Sequence, residues 1–307
     1  MAVKLAPDLR RLLGFLGGVL SLVGMAYVVG RLVSNCPGGW RCLLTTQPSL
    51  LVMVFGILAI SVILVGLAWS LLVWCFQQAG NAIDADVLSS HLIAQIGKYL
   101  PGNVFHFVMR HGNTRVVGAT NQALVSALVL EIFLQVLIAI TLAAPLLERA
   151  LMTMADDDVR LFLALCPAAI IAVVMLWRSV ARQGNVWRRV SAILGAIVFL
   201  LPFYLGGGLG LWLLVGGDNI GISLIDAIAC FSISWLIGFL VPGSPGGIGV
   251  REATLTLTLP WVADVDVTHV AGVVLSLRFA SIFADLAGWL VGSALRRIRN
   301  GRSLSAM

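Results

Sequence analysis

Six stretches of this chain, residues 12–33, 50–76, 117–147, 159–177, 190–215 and 267–293, stay apolar over about 20 residues or more, the length a helix needs to cross a bilayer core. In hydrocarbon every backbone N–H and C=O must be satisfied within the segment, which restricts such stretches to helix. Charged residues make up only 11% of the 307, against about 25% in an average soluble domain. The sequence therefore reads as an all-α polytopic membrane protein, a single membrane domain over residues 1–307. Its net charge of +6 is read as a topology signal and not as a nucleic-acid footprint. The first apolar run is too long for a signal peptide and lacks a small-x-small cleavage site. A retained helix in a bacterial inner (plasma) membrane is expected.

Two further segments, 87–111 and 222–259, are apolar but broken by Pro-Gly. Charge decides how they lie. Lys4, Arg10 and Arg11 precede the first span, Arg178, Arg182, Arg188 and Arg189 follow the fourth, and Arg296, Arg297, Arg299 and Arg302 follow the last. These clusters hold 11 of the 20 Lys and Arg and are expected in the cytoplasm, with both termini. Asp156, Asp157 and Asp158 then belong outside. Parity requires 87–111 to begin and end on the cytoplasmic side and 222–259 on the outer side. Each is expected to be a re-entrant hairpin, giving about six full spans plus two hairpins. Arms over 87–100 and 103–111 would be roughly 21 and 14 Å long as helices, short of the ~30 Å core. Residues 222–241 are long enough to span; counting the hairpins as crossings gives eight and leaves the parity unchanged.

The hairpins align without gaps. "IGKYLPG" at 96–102 matches "IGFLVPG" at 237–243, and the same offset brings Arg110 onto Arg251. Repeat one, about 12–147, and repeat two, about 159–293, are expected to be inverted relative to each other, with a site between them near the midplane. Pro242 ends the inward helix, and the glycines of "PGSPGGIG" let the chain turn. The outward helix then starts inside the membrane with free N–H groups, a setting that suits an anion such as phosphate. A structural kink at a helix crossing is the plainer alternative.

The elements "GKYLPGNVFHFVMRH" and "PGSPGGIGVREA" resemble the lysylphosphatidylglycerol synthase transmembrane-region (flippase-like) family. Its pattern is G-x-[YFL]-[LIV]-P-G followed by P-G-G-[LI]-G-x-R-E, and the resemblance extends over nearly the whole chain. It implies movement of an anionic lipid or a polyprenyl-phosphate-linked intermediate across the membrane, with envelope-biosynthesis enzymes as possible partners. With no soluble transferase domain after residue 307, a stand-alone unit is expected and lipid aminoacylation is not implied.

Candidate substrate contacts are Lys98, Pro101, Gly102 and Arg110 in the first hairpin and Pro242, Gly243, Gly246, Gly247, Arg251 and Glu252 in the second. Arginine can fork onto a phosphate; Arg110 and Arg251 can equally snorkel to the interface. Lys98 is one of two lysines in the chain and lies one turn before its tip. Ionisable residues inside a membrane are costly and usually paired or functional. Glu131 and Arg278 are therefore expected to pair with each other or to line a cavity, and Asp285 to share their network or sit near the cytoplasmic interface. Four scattered histidines suggest no metal site, no catalytic spacing or cofactor motif stands out, and without a Walker motif ATP is not expected to act directly. Cys36 and Cys42 bracket a turn-rich loop and form either a disulfide or two free thiols. Two alternatives to lipid flipping stay open: a membrane-embedded transferase on the same lipids, and an ion-coupled carrier of a small anion.

Overall fold

The computed structural model describes residues 47–77, 81–100, 105–116, 118–152, 186–241, 243–263, 265 and 267–305, with positions 19, 22, 23, 26 and 30. The expected spans 12–33 (apart from those positions) and 159–177, the Cys36–Cys42 loop, Asp156 to Asp158, and the tip residues Pro101, Gly102 and Pro242 lie outside the described residues. Among the described residues all regular structure is helical: α1 (Pro48–Phe76), α2 (Ala85–Ala94), α3 (Phe105–Val116), α4 (Asn121–Met152), α5 (Val186–Val215), α6 (Leu224–Leu240), α7 (Val250–Val262) and α8 (Val267–Ser305). Short 3-10 turns occupy Gln95–Tyr99, Gly217–Ile220 and Pro245–Gly247.

Helices α1, α4, α5 and α8 are long and apolar enough to cross a membrane, so the chain is a membrane protein, all-helical over the described residues. Their outward faces carry Ile60, Val129, Val198, Phe279, Phe283 and Leu290, all exposed, whereas Arg110, Glu131, Glu252 and Asp285 are buried. An apolar outside around a charged inside is the distribution a bilayer selects.

The other four helices are short. α2 and α3 have 10 and 12 residues, roughly 15 and 18 Å. α6 and α7 have 17 and 13 residues, roughly 26 and 20 Å. Each falls short of the ~30 Å core. The first arm, expected as one helix over 87–100, is α-helical only to Ala94 and then tightens into the 3-10 turn. Two features of the sequence explain this. Leu100 precedes Pro101 and is extended, at ψ 147°, as residues before proline tend to be. Gly97 lies flat on the backbone of His106, where a Cβ would be only 3.0 Å from its N and Cα.

Caps fix the outer ends of both hairpins. The Asp84 carboxylate accepts the Asp86 N–H at 2.7 Å, and the Asp84 N–H donates to Ser70 Oγ of α1 at 2.8 Å. Ser223 Oγ accepts the Asp226 N–H at 3.1 Å. Such caps contribute about 1 kcal/mol each. Within α7, Thr254, Thr256 and Thr258 donate to carbonyls one turn back, so the helix carries hydroxyls into an apolar interior without orphaning them.

α5 is the central helix. Its glycines 206, 207, 208 and 210 bring α1 and α6 close: a Cβ at Gly206 would meet Ile57 at 2.8 Å, and one at Gly208 would meet the Ile228 Cα at 2.5 Å. α2 packs on α8, with Gly292 against Leu92 and Ser89, and α6 packs on α4. Each contact carries an ion pair at its end. Arg299 of α8 reaches Asp86 at 2.7 Å, and Arg149 of α4 reaches Asp226 at 2.9 Å.

Candidate functional site

The 3-10 turns Gln95–Tyr99 and Pro245–Gly247 meet inside the molecule. Gly246, at φ +57°, approaches the other tip so closely that a Cβ would lie 3.5 Å from the Lys98 carbonyl oxygen and 3.5 Å from Tyr99 Cδ1. Around this junction lie two cavities, of about 90 and 60 Å³. Lys98, Arg251 and Asp285 line both. Arg110, Glu131 and Gly246 line the larger one; Glu252 and Arg278 line the smaller. Tyr204, Trp235 and Phe239 form an aromatic wall on the larger cavity.

Four cations face three carboxylates here; Glu131 and Arg278, expected to pair with each other or to line a cavity, line one cavity each and take other partners. Glu131 pairs with Arg110: Nη1 donates to Oε1 at 3.0 Å and Nη2 to Oε2 at 2.5 Å. The Arg110 guanidinium also lies 3.8 Å from the Trp69 ring centroid and 3.0 Å from His91 Nδ1. Arginine only donates, so His91 Nδ1 accepts and the ring proton sits on Nε2; the Gln95 side-chain amide lies 2.6 Å from Nε2, and the end of it that accepts this proton is its oxygen. Arg110, expected to contact substrate or the interface, is thereby committed to its neighbours.

Arg278 pairs instead with Glu252. Its Nε lies 3.2 Å from Glu252 Oε1 without a hydrogen bond, and its Nη2 donates to the Gly246 carbonyl at 3.3 Å. The other Glu252 oxygen accepts the Gly249 N–H at 2.6 Å and so caps α7 from within. Asp285 takes the third cation: Lys98 Nζ lies 2.7 Å from it, and the Tyr99 hydroxyl donates to Oδ2.

Arg251 remains. Among the described residues it has no ion pair and no hydrogen bond, and its Nε is buried without a partner. Its nearest aromatic face is Trp235, with the ring centroid 5.9 Å from Cζ. Two glycines hold its stem. A Cβ at Gly238 would fall 2.4 Å from Arg251 Cγ, and one at Gly247, itself at φ +73°, would fall 2.6 Å from Arg251 Nε. Gly247, expected to let the backbone approach a head group, makes room for the arginine instead. Gly243 is buried and lines neither cavity.

Tyr99, His91, Tyr204 and Trp235 belong to the site but were not singled out from the sequence as binding residues. Tyr99 carried a signal, being one of three tyrosines in the chain and adjoining the Pro-Gly tip. The others lie in apolar helices where nothing local marks them. A scan against protein-family models finds no match, and no curated protein matches the sequence.

Proposed function

We propose that this protein moves an anionic lipid, a phospholipid or a polyprenyl-phosphate-linked intermediate, across the bacterial inner membrane, with the phosphate held between two re-entrant hairpin tips. The observation that carries this reading is Arg251, a cation without a carboxylate, facing both cavities where the tips meet. An unpaired charge in a low-dielectric interior costs several kcal/mol, and a transient anionic partner relieves that cost. A guanidinium fork suits a phosphate geometrically. The motif resemblance points the same way.

The packing supports a reading of the two halves as inverted repeats. The first arm of each hairpin packs on the last long helix of the other half, α2 on α8 and α6 on α4, each with an Arg–Asp pair at its end. The internal pairs correspond with their signs exchanged: hairpin Arg110 with helix Glu131, hairpin Glu252 with helix Arg278. Rocking of one half against the other about the tips would expose the site alternately to the two faces.

The test is translocation of fluorescent phosphatidylglycerol in proteoliposomes, with folding checked by size exclusion and thermal melting. Arg251→Lys keeps the charge but loses the fork, and is expected to lose most of the transport. Full transport by well-folded Arg251→Ala would remove Arg251 from the site and leave the motif a structural turn.

A further inference from the structure

Resting on the reading of Arg251 as an anion anchor, we propose that Asp285 is a built-in competitor of the anion, holding Lys98 and Tyr99 until a phosphate group displaces it. The ligand chemistry is a tetrahedral phosphate, whether borne by a lipid or free.

The geometry behind this is an asymmetry among the three ion pairs. Arg110 is 4% exposed and clamped by Glu131, His91 and Trp69. The Arg278 side chain is 11% exposed and shared between Glu252 and the Gly246 carbonyl. Lys98 is 24% exposed, while its partner Asp285 is 2% exposed. The lysine is thus the more open partner of the pair. Lysine has three rotatable donors on a flexible stem, so it can turn from Asp285 to a ligand without moving the backbone. Both cavities that contain Arg251 also contain Lys98 and Asp285, so one small anion between the tips meets the two cations together.

Tyr99 cannot follow as freely, because its ring lies against the Gly246 tip and beside the Arg278 guanidinium, 5.8 Å from the centroid. When an anion draws Lys98 away, Asp285 keeps only the Tyr99 hydroxyl. A buried carboxylate with one remaining donor is costly, and recovery of Lys98 by Asp285 drives the anion off. Asp285 therefore lowers affinity and speeds release, which suits a carrier that must let its cargo go. It acts through Lys98 and is a positioning residue.

The test measures binding of inorganic phosphate and of dihexanoyl phosphatidic acid to the detergent-solubilised full chain by calorimetry, and transport in proteoliposomes. Asp285→Asn is expected to bind on the order of tenfold more tightly, the scale of one hydrogen bond to a charged group, while its maximal transport rate falls. Asp285→Glu, which keeps the carboxylate, should not show the gain in affinity. Lys98→Met/Asp285→Asn, a neutral pair expected to fold, should lose the gain. If that double variant keeps the full gain, simple charge repulsion is at work and the competition is refuted. Unchanged or weaker binding by Asp285→Asn, or no binding of either probe, also overturns it. Loss of phosphate binding in Arg251→Ala alongside unchanged Asp285→Asn would sink the competitor alone; wild-type binding by Arg251→Ala would sink the anion-site reading itself. Binding of inorganic phosphate without phosphatidic acid would identify free phosphate as the ligand.

Discussion

Replacing Glu131 by glutamine tests the buried Arg110 clamp. Arg110 and Glu131 are 4% and 1% exposed and make two hydrogen bonds, at 3.0 and 2.5 Å. Without the acid, Arg110 is left as a buried cation held only by His91 and Trp69. Breaking one side of a buried pair costs about 3–5 kcal/mol. Glutamine keeps one carbonyl oxygen for one arginine N–H, which places its cost near the lower end, about 3 kcal/mol, and Glu131→Leu near the upper end, about 5 kcal/mol. At about 2–4 °C per kcal/mol for a domain of a few hundred residues, Glu131→Gln should melt roughly 6–12 °C lower. The measurement is thermal unfolding of the detergent-solubilised protein. Arg110→Met/Glu131→Leu, which removes both charges and fills the space with apolar groups, should recover most of the loss. Wild-type melting of Glu131→Gln would refute the clamp, as would a double variant no more stable than the singles.

Two further outcomes follow, one from the packing around Arg251 and one from the positive-inside distribution of charge. Gly238→Ala adds a methyl 2.4 Å from Arg251 Cγ in a helical backbone that accepts alanine readily, so it should displace the arginine and lose phosphate binding with little change in melting; retained binding would show that the position of Arg251 is not critical. Cysteine labelling should place residues 180–188 and 298–307 on the cytoplasmic side and 150–158 outside, and outside labelling of 180–188 would overturn the inverted arrangement of the halves.

The sequence by itself determined the class of the protein and the placement of the four long helices among the described residues. The expected spans 50–76, 117–147, 190–215 and 267–293 appear as α1, α4, α5 and α8, starting within four residues of the expected positions. The apolar run fixes this directly, since hydrocarbon admits only helix and the run sets its length. Pro-Gly likewise marked where the short helices stop: the first arm leaves the α-helix at Ala94, before Pro101, and α6 ends at Leu240, before Pro242, because proline disfavours helix at and before its own position. Tertiary structure alone decided which charges pair. Lys98 and Asp285 are 187 residues apart, and Arg278 selects Glu252 over Glu131. Sequence spacing gives a residue's depth along a helix and its face, but the partner depends on how neighbouring helices are rotated about their axes. A few ångströms of rotation exchange one carboxylate for another at nearly the same depth. Arg251 looks like Arg110 in the aligned hairpins; it is left unpaired because the acid beside it, Glu252, turns to the Gly249 N–H and Arg278, while Glu131 and Asp285, which line the same cavities, are taken by Arg110 and Lys98.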